Sequence, residues 1–244
     1  MYITMKKYEC ILKRINLTDK WESDESFLID VISKSSIKMI EICYEDLEKG
    51  NLIPILPILR LVQENCILLI GFGDSVITAK EFQKGKLDAQ KIFERLENKE
   101  NLDSTKVIFV SDYLKEIKKL LNNYSHTNFD GLMQLFIEDY QVYEAKKFNE
   151  LIIKFAIAMV EIVLISGLNY YYKVKIEFPN ISNFNRDLKE IGSLRYIADK
   201  LPKNISDFIK NSEIFKSYYR NLGLKTKENI KLLKEIKIKS PKIS

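Results

Sequence analysis

Residues 128–166 constrain the fold more than any other stretch, because they contain no proline and run unbroken to Gly167. Their apolar positions recur at helical spacing, and the apolar face broadens between Phe155 and Ile165. Such a segment forms either one helix of roughly 57 Å or two stacked helices broken near Gly131 or Asn149. Its later part is expected at the centre of the core. Punctuation is scarce throughout, with only 8 Gly and 5 Pro in 244 residues, so connections are few or short. The same scarcity leaves few glycine loops of the kind that let a backbone approach a phosphate closely.

Further helices follow from caps and stripes. Thr78 and Glu81 have capping-box spacing, and Phe82, Ala89, Ile92, Phe93 and Leu96 then share a helical face. Ser111 caps a next helix in which Tyr113, Ile117, Leu120, Leu121 and Tyr124 lie opposite Lys115, Lys118 and Lys119. Two more are expected, one with Phe184, Leu188, Ile191 and Leu201 and one with Ile205, Phe208, Phe215, Tyr219 and Leu222, stopping near Pro202 and Gly223.

Two regions carry strand formers instead. Residues 6–15, 37–44 and 67–72 read as short strands, with a turn at 48–51 and a short helix over 57–64. Residues 170–178 alternate, with Tyr170, Tyr172, Val174, Ile176 and Phe178 set against Tyr171, Lys173, Lys175 and Glu177. The expected architecture is mainly α: a small N-terminal α+β module over 1–75, a helical domain over 76–223, and a basic tail over 224–244.

With 46% apolar and 30% charged residues the chain is that of a folded protein. The apolar runs 52–72 and 151–168 are interrupted by Arg60 and Glu64 and by Lys154 and Glu161, so neither is expected to span a bilayer. The N-terminus lacks the apolar core of a secretory signal, and Cys10, Cys43 and Cys66 form an odd, scattered set of buried thiols. A soluble, intracellular protein is expected. Its charge is uneven: residues 176–244 hold 15 Lys or Arg against 8 Asp or Glu, so a polyanion would meet this third first.

Candidate chemistry is sparse. Gly71-Phe-Gly73 resembles the start of a dinucleotide turn, but Val76 stands where the third glycine belongs, and a strand-end turn is the simpler reading. His126 is the only histidine and reads as a loop residue. Glu97 with Glu100 and Glu138 with Asp139 read as solvated helix faces. No cofactor, metal site or catalytic set is therefore expected. The nucleic-acid candidates are Tyr171 with Lys173 and Lys175, which pair an aromatic face with phosphate-binding cations, and the tail residues Lys231, Lys234, Lys237, Lys239 and Lys242.

Over roughly residues 45–155 the chain resembles the GINS subunits whose small domain precedes the helical one. The resemblance is carried by Gly50-Asn-Leu-Ile-Pro54-Ile-Leu-Pro57-Ile-Leu-Arg60, then the apolar run to Leu69, then Phe82-Gln-Lys-Gly-Lys-Leu, Val110-Ser-Asp-Tyr113-Leu, and residues 140–148. It implies a non-catalytic subunit of a hetero-oligomeric replication factor, with other GINS-type subunits and the replicative helicase as partners. Two rival readings remain: a nucleic-acid-binding protein using the basic C-terminal third, and an α/β enzyme built on 67–75 and 107–115.

Overall fold

The computed structural model describes residues 6–18, 20–85, 87–98, 118, 121, 143–180 and 202–213. Among these the structure is helical, with no strand. The helices are α1 (Glu9–Asn16), α2 (Asp24–Glu48), α3 (Ile55–Gly73), α4 (Ala79–Gln83), α5 (Ala89–Glu97), α6 (Tyr143–Tyr172) and α7 (Lys203–Asn211). The chain divides into two compact bodies, one of residues 1–126 with 153–179 and one of 127–152 with 180–244.

The expected mainly helical character is observed, but the N-terminal α+β module is not. In α1, Ile11 and Ile15 are buried at helical spacing with Tyr8 at the N-cap, while Glu9 and Lys13 pair across one turn of the surface at 2.6 Å. In α2, residues 37–44 look β-like because they are rich in isoleucine. Ile37, Ile40 and Cys43 are the ones buried, a spacing of three that only a helix brings to one face. A capping box starts this helix: the Ser23 hydroxyl accepts from the Ser26 backbone N–H, and the Ser26 hydroxyl accepts from that of Ser23. Asp24 and Glu25 in the first turn oppose the helix dipole. The turn at 48–51 forms as expected, with Gly50 at φ 71°.

The short helix expected over 57–64 is part of the longer α3, which absorbs the supposed strand 67–72. Gly71 and Gly73 therefore lie in a helix and form no dinucleotide turn, and the α/β enzyme reading loses its first strand. Gly71 serves packing instead. A Cβ there would stand 2.9 Å from Ile92 Cγ2, so its absence lets α5 approach α3 closely. The Thr78–Glu81 capping box is present at α4. A break follows at Gly85, φ 65°, so the stripe from Phe82 to Leu96 is carried on two helices. Asp88 caps the second, which buries Ile92, Phe93 and Leu96. Of the next expected helix, Leu121 is fully buried and Lys118 exposed, as the stripe requires.

Helix α2 packs along α3, α3 also meets α5, and α1 and α4 lie against α2. Within this body α6, from Ile153 onward, is the core element: every residue of 155–165 is buried. Described from Tyr143, α6 shows no break at Asn149 and does not end at Gly167. Gly167 again marks a close approach, its absent Cβ lying 2.9 Å from Leu69 Cδ2 of α3. The helix stops only at Lys173, which adopts a left-handed φ of 54°.

This corrects the strand expected over 170–178. Its first three residues close α6, and Asn169 then takes both peptide groups of Ile176, its side chain accepting from the N–H at 2.8 Å and donating to the carbonyl at 3.0 Å. Backbone groups held by a side chain are not free for a ladder.

Two helical stretches, Ile55–Gly73 and Ile153–Tyr172, are long and apolar enough to cross a membrane, yet 56% and 72% of their apolar windows are buried within the protein. In the second body α7 follows Pro202, buries Ser206 and leaves Phe208 exposed, whereas the sequence places Phe208 on an apolar stripe.

Candidate functional site

The most distinctive chemistry lies inside the first body, where two carboxylates are held by tyrosines. Glu161, on the core helix α6, has no exposed surface. Its Oε1 accepts from the Tyr8 hydroxyl at 2.7 Å and its Oε2 from the Tyr44 hydroxyl at 2.7 Å. The Lys7 ammonium completes the set as an ion pair with Oε1. Burial, and after it the Glu161 carboxylate, push both phenols well above the ordinary tyrosine range, so at neutral pH they remain protonated donors.

The second carboxylate is Asp30 on α2. It accepts from the Tyr172 hydroxyl at 2.6 Å and from the Trp21 indole N–H at 2.9 Å. Arg14 of α1 donates to the Tyr172 carbonyl at 2.8 Å and lies over the Tyr172 ring at 5.6 Å, covering the C-terminal end of α6 with a cation. Burial, then the bond to Asp30, raise the Tyr172 phenol above its ordinary range.

These networks are saturated. Each carboxylate oxygen is engaged by a protein donor, and no substrate atom could reach Glu161 without displacing one. A general acid or base needs access to a reacting proton, which burial of this kind denies it. What the networks do is tie α1, α2 and the segment between them to the core helix through groups far apart in sequence. No group of three or more His, Cys, Asp or Glu that could hold a metal ion occurs among the described residues. Cys43 and Cys66 are buried as expected, and burial pushes both thiols up to about 12, whereas Cys10 is exposed, contrary to expectation.

The sequence-derived nucleic-acid candidates fall in two groups. Lys173 and Lys175 are exposed, but Tyr171 is half-buried with its ring edge-on to Tyr172 at 5.1 Å. The more exposed aromatic is Tyr170, and Lys173 lies over its ring at 4.5 Å. Period-two alternation sets Tyr170 on one face with Tyr172, whereas helical geometry turns Tyr170 outward and leaves Tyr172 buried. The tail lysines Lys231, Lys234, Lys237, Lys239 and Lys242 lie outside the described residues, as do His126, Glu100, Glu138, Asp139 and the segment 107–115.

Sequence reasoning missed a surface feature. Leu17, Trp21, Phe27 and Val31 are all substantially exposed, and the Trp21 and Phe27 rings meet edge-to-face at 4.9 Å. Neither Trp21 nor Phe27 belongs to an apolar stripe that the sequence makes visible. The usable signal was Trp-Glu-Ser-Asp-Glu-Ser-Phe, two large aromatics in a run of acids and helix caps. No protein-family model, curated protein or solved structure matches this chain.

Proposed function

We propose that this protein is a non-catalytic subunit that works by binding other proteins through helical surfaces. The observation that supports this best is the contrast between inside and outside. The buried carboxylates are spent on internal tyrosines, while large apolar side chains including Trp21, Phe27 and Val31 stand in solvent. Exposed apolar clusters beside polar residues mark protein contact surfaces. Within this class a GINS-type replication subunit is the specific candidate, resting on the resemblance over residues 45–155 without the N-terminal module. Native mass spectrometry of the chain co-expressed with GINS-type partners tests it. A stable hetero-oligomer is expected, and a folded monomer indifferent to those chains would remove this assignment.

A second reading, contact with nucleic acid, is favoured by the net +7 of residues 176–244. If the five tail lysines meet phosphates, the log–log salt slope of duplex DNA binding is at most about −4.5 in magnitude, from about −0.9 per phosphate. Removing residues 231–244 is then expected to lower affinity by a similar factor for every DNA sequence, as filter binding or fluorescence anisotropy would measure. Unchanged affinity and slope would assign the tail no role in binding.

A further inference from the structure

The exposed aromatic cluster has chemistry definite enough to name its partner. Phe27 and Val31 stand one turn apart on α2, and Trp21 packs its edge against Phe27. Trp21 is no loose side chain, because its indole N–H is bound to Asp30, which Tyr172 of the core helix also holds. An aromatic anchor fixed before a partner arrives loses little conformational freedom on binding, which is the property of an interface hot spot. The segment that carries it is acidic in sequence, opposite to the chain as a whole. Residues 17–31 contain Asp19, Glu22, Asp24, Glu25 and Asp30 against Lys20 alone, a net −4 in a chain of net +5. Asp30 is committed to Trp21 and Tyr172, and Glu25 accepts from the Ala79 backbone N–H at 2.8 Å. Glu22 and Asp24 are both exposed beside the aromatics.

We infer that the surface formed by Trp21, Phe27 and Val31 docks a basic amphipathic helix of a partner protein. Its bulky apolar side chains cover the two rings, and its lysines or arginines meet Glu22 and Asp24. This rests on the proposed role as a binding subunit and specifies the surface and the partner's chemistry. Such a helix brings apolar anchors at spacings of three and four, which matches Phe27 and Val31, together with the charge this patch lacks.

Trp21 is the only tryptophan, so its emission reports on this surface directly. The probe is a synthetic sixteen-residue peptide, about four helical turns, of leucine and lysine at helical spacing. A control peptide has every lysine replaced by glutamate. Titrating the full chain with the basic peptide is expected to shift Trp21 emission to the blue, with binding weakened by salt, while the acidic peptide leaves the spectrum unchanged. Phe27→Ala and the pair Glu22→Lys with Asp24→Lys are each expected to weaken binding about tenfold or more, the size of one hot-spot contact. All three residues are exposed, so circular dichroism should show the variants folded. No spectral shift with the basic peptide, an equal shift with the acidic one, or full affinity in the variants would overturn the inference. An emission shift that grows with protein concentration alone would also overturn it, by assigning the patch to a second copy. If a hetero-oligomer forms while Phe27→Ala leaves its assembly intact, this surface is wrong and the binding role stands.

Discussion

Replacing Glu161 with leucine is expected to lower stability by about 3–5 kcal/mol, the cost of removing one partner from a buried charged network. For a chain of this size that corresponds to a fall in melting temperature on the order of 10 °C. The cost has a definite origin. The Tyr8 hydroxyl would be left in the core without an acceptor, and the Tyr44 hydroxyl would lose its own, while Lys7, a quarter exposed, can turn to water. The effect should therefore be non-additive. Combining Glu161→Leu with Tyr8→Phe and Tyr44→Phe removes the orphaned hydroxyls and is expected to recover part of the loss, because an apolar replacement of a whole buried network is often tolerated. Thermal unfolding of the single and triple variants decides it. A triple variant that loses the sum of the separate costs would show that the carboxylate and tyrosines act independently.

The two glycines of the helix interfaces are expected to respond unequally. At Gly71 an added Cβ meets Ile92 Cγ2 at 2.9 Å and two Ile77 side-chain atoms at 3.2 Å, and both isoleucines are buried. The Ile92 atom is held by a branched side chain with little freedom to retreat. Gly71→Val should cost about 2–3 kcal/mol through overpacking. At Gly167 the close atom is the far end of Leu69, a side chain that can shift, and alanine gains roughly 1 kcal/mol of helix propensity over glycine. Gly167→Ala is therefore expected within about 1 kcal/mol of the parent. Denaturant unfolding of the two variants measures the difference. Equal effects would contradict the close approach of α5 to α3 at Gly71.

The same glycines show why parts of the fold were hard to read. Gly71 and Gly167 punctuate apolar runs, and local chemistry treats a glycine there as an end. Their use as contact points depends on Ile92 and Leu69, which no local pattern connects to them. The strand reading of 37–44 failed for a related reason: isoleucine favours strands locally, and tertiary burial at spacing three overrode that preference. Where a signal was complete within one segment, as in the Thr78–Glu81 box or the broad apolar face of residues 155–165, sequence and structure agree. The Glu161 network was illegible because Tyr8 and Tyr44 lie 153 and 117 residues from their acceptor. A glutamate inside an apolar run is the one local clue, and it does not name the tyrosines that hold it.

The proposed binding role puts this chain in an assembly with other proteins. Its most direct test is purification of the tagged protein from its native cell, followed by native mass spectrometry to read composition and stoichiometry. One defined hetero-oligomer with fixed subunit ratios is expected. Recovery of the folded chain as a monomer, with no partner in stoichiometric amount, would contradict it.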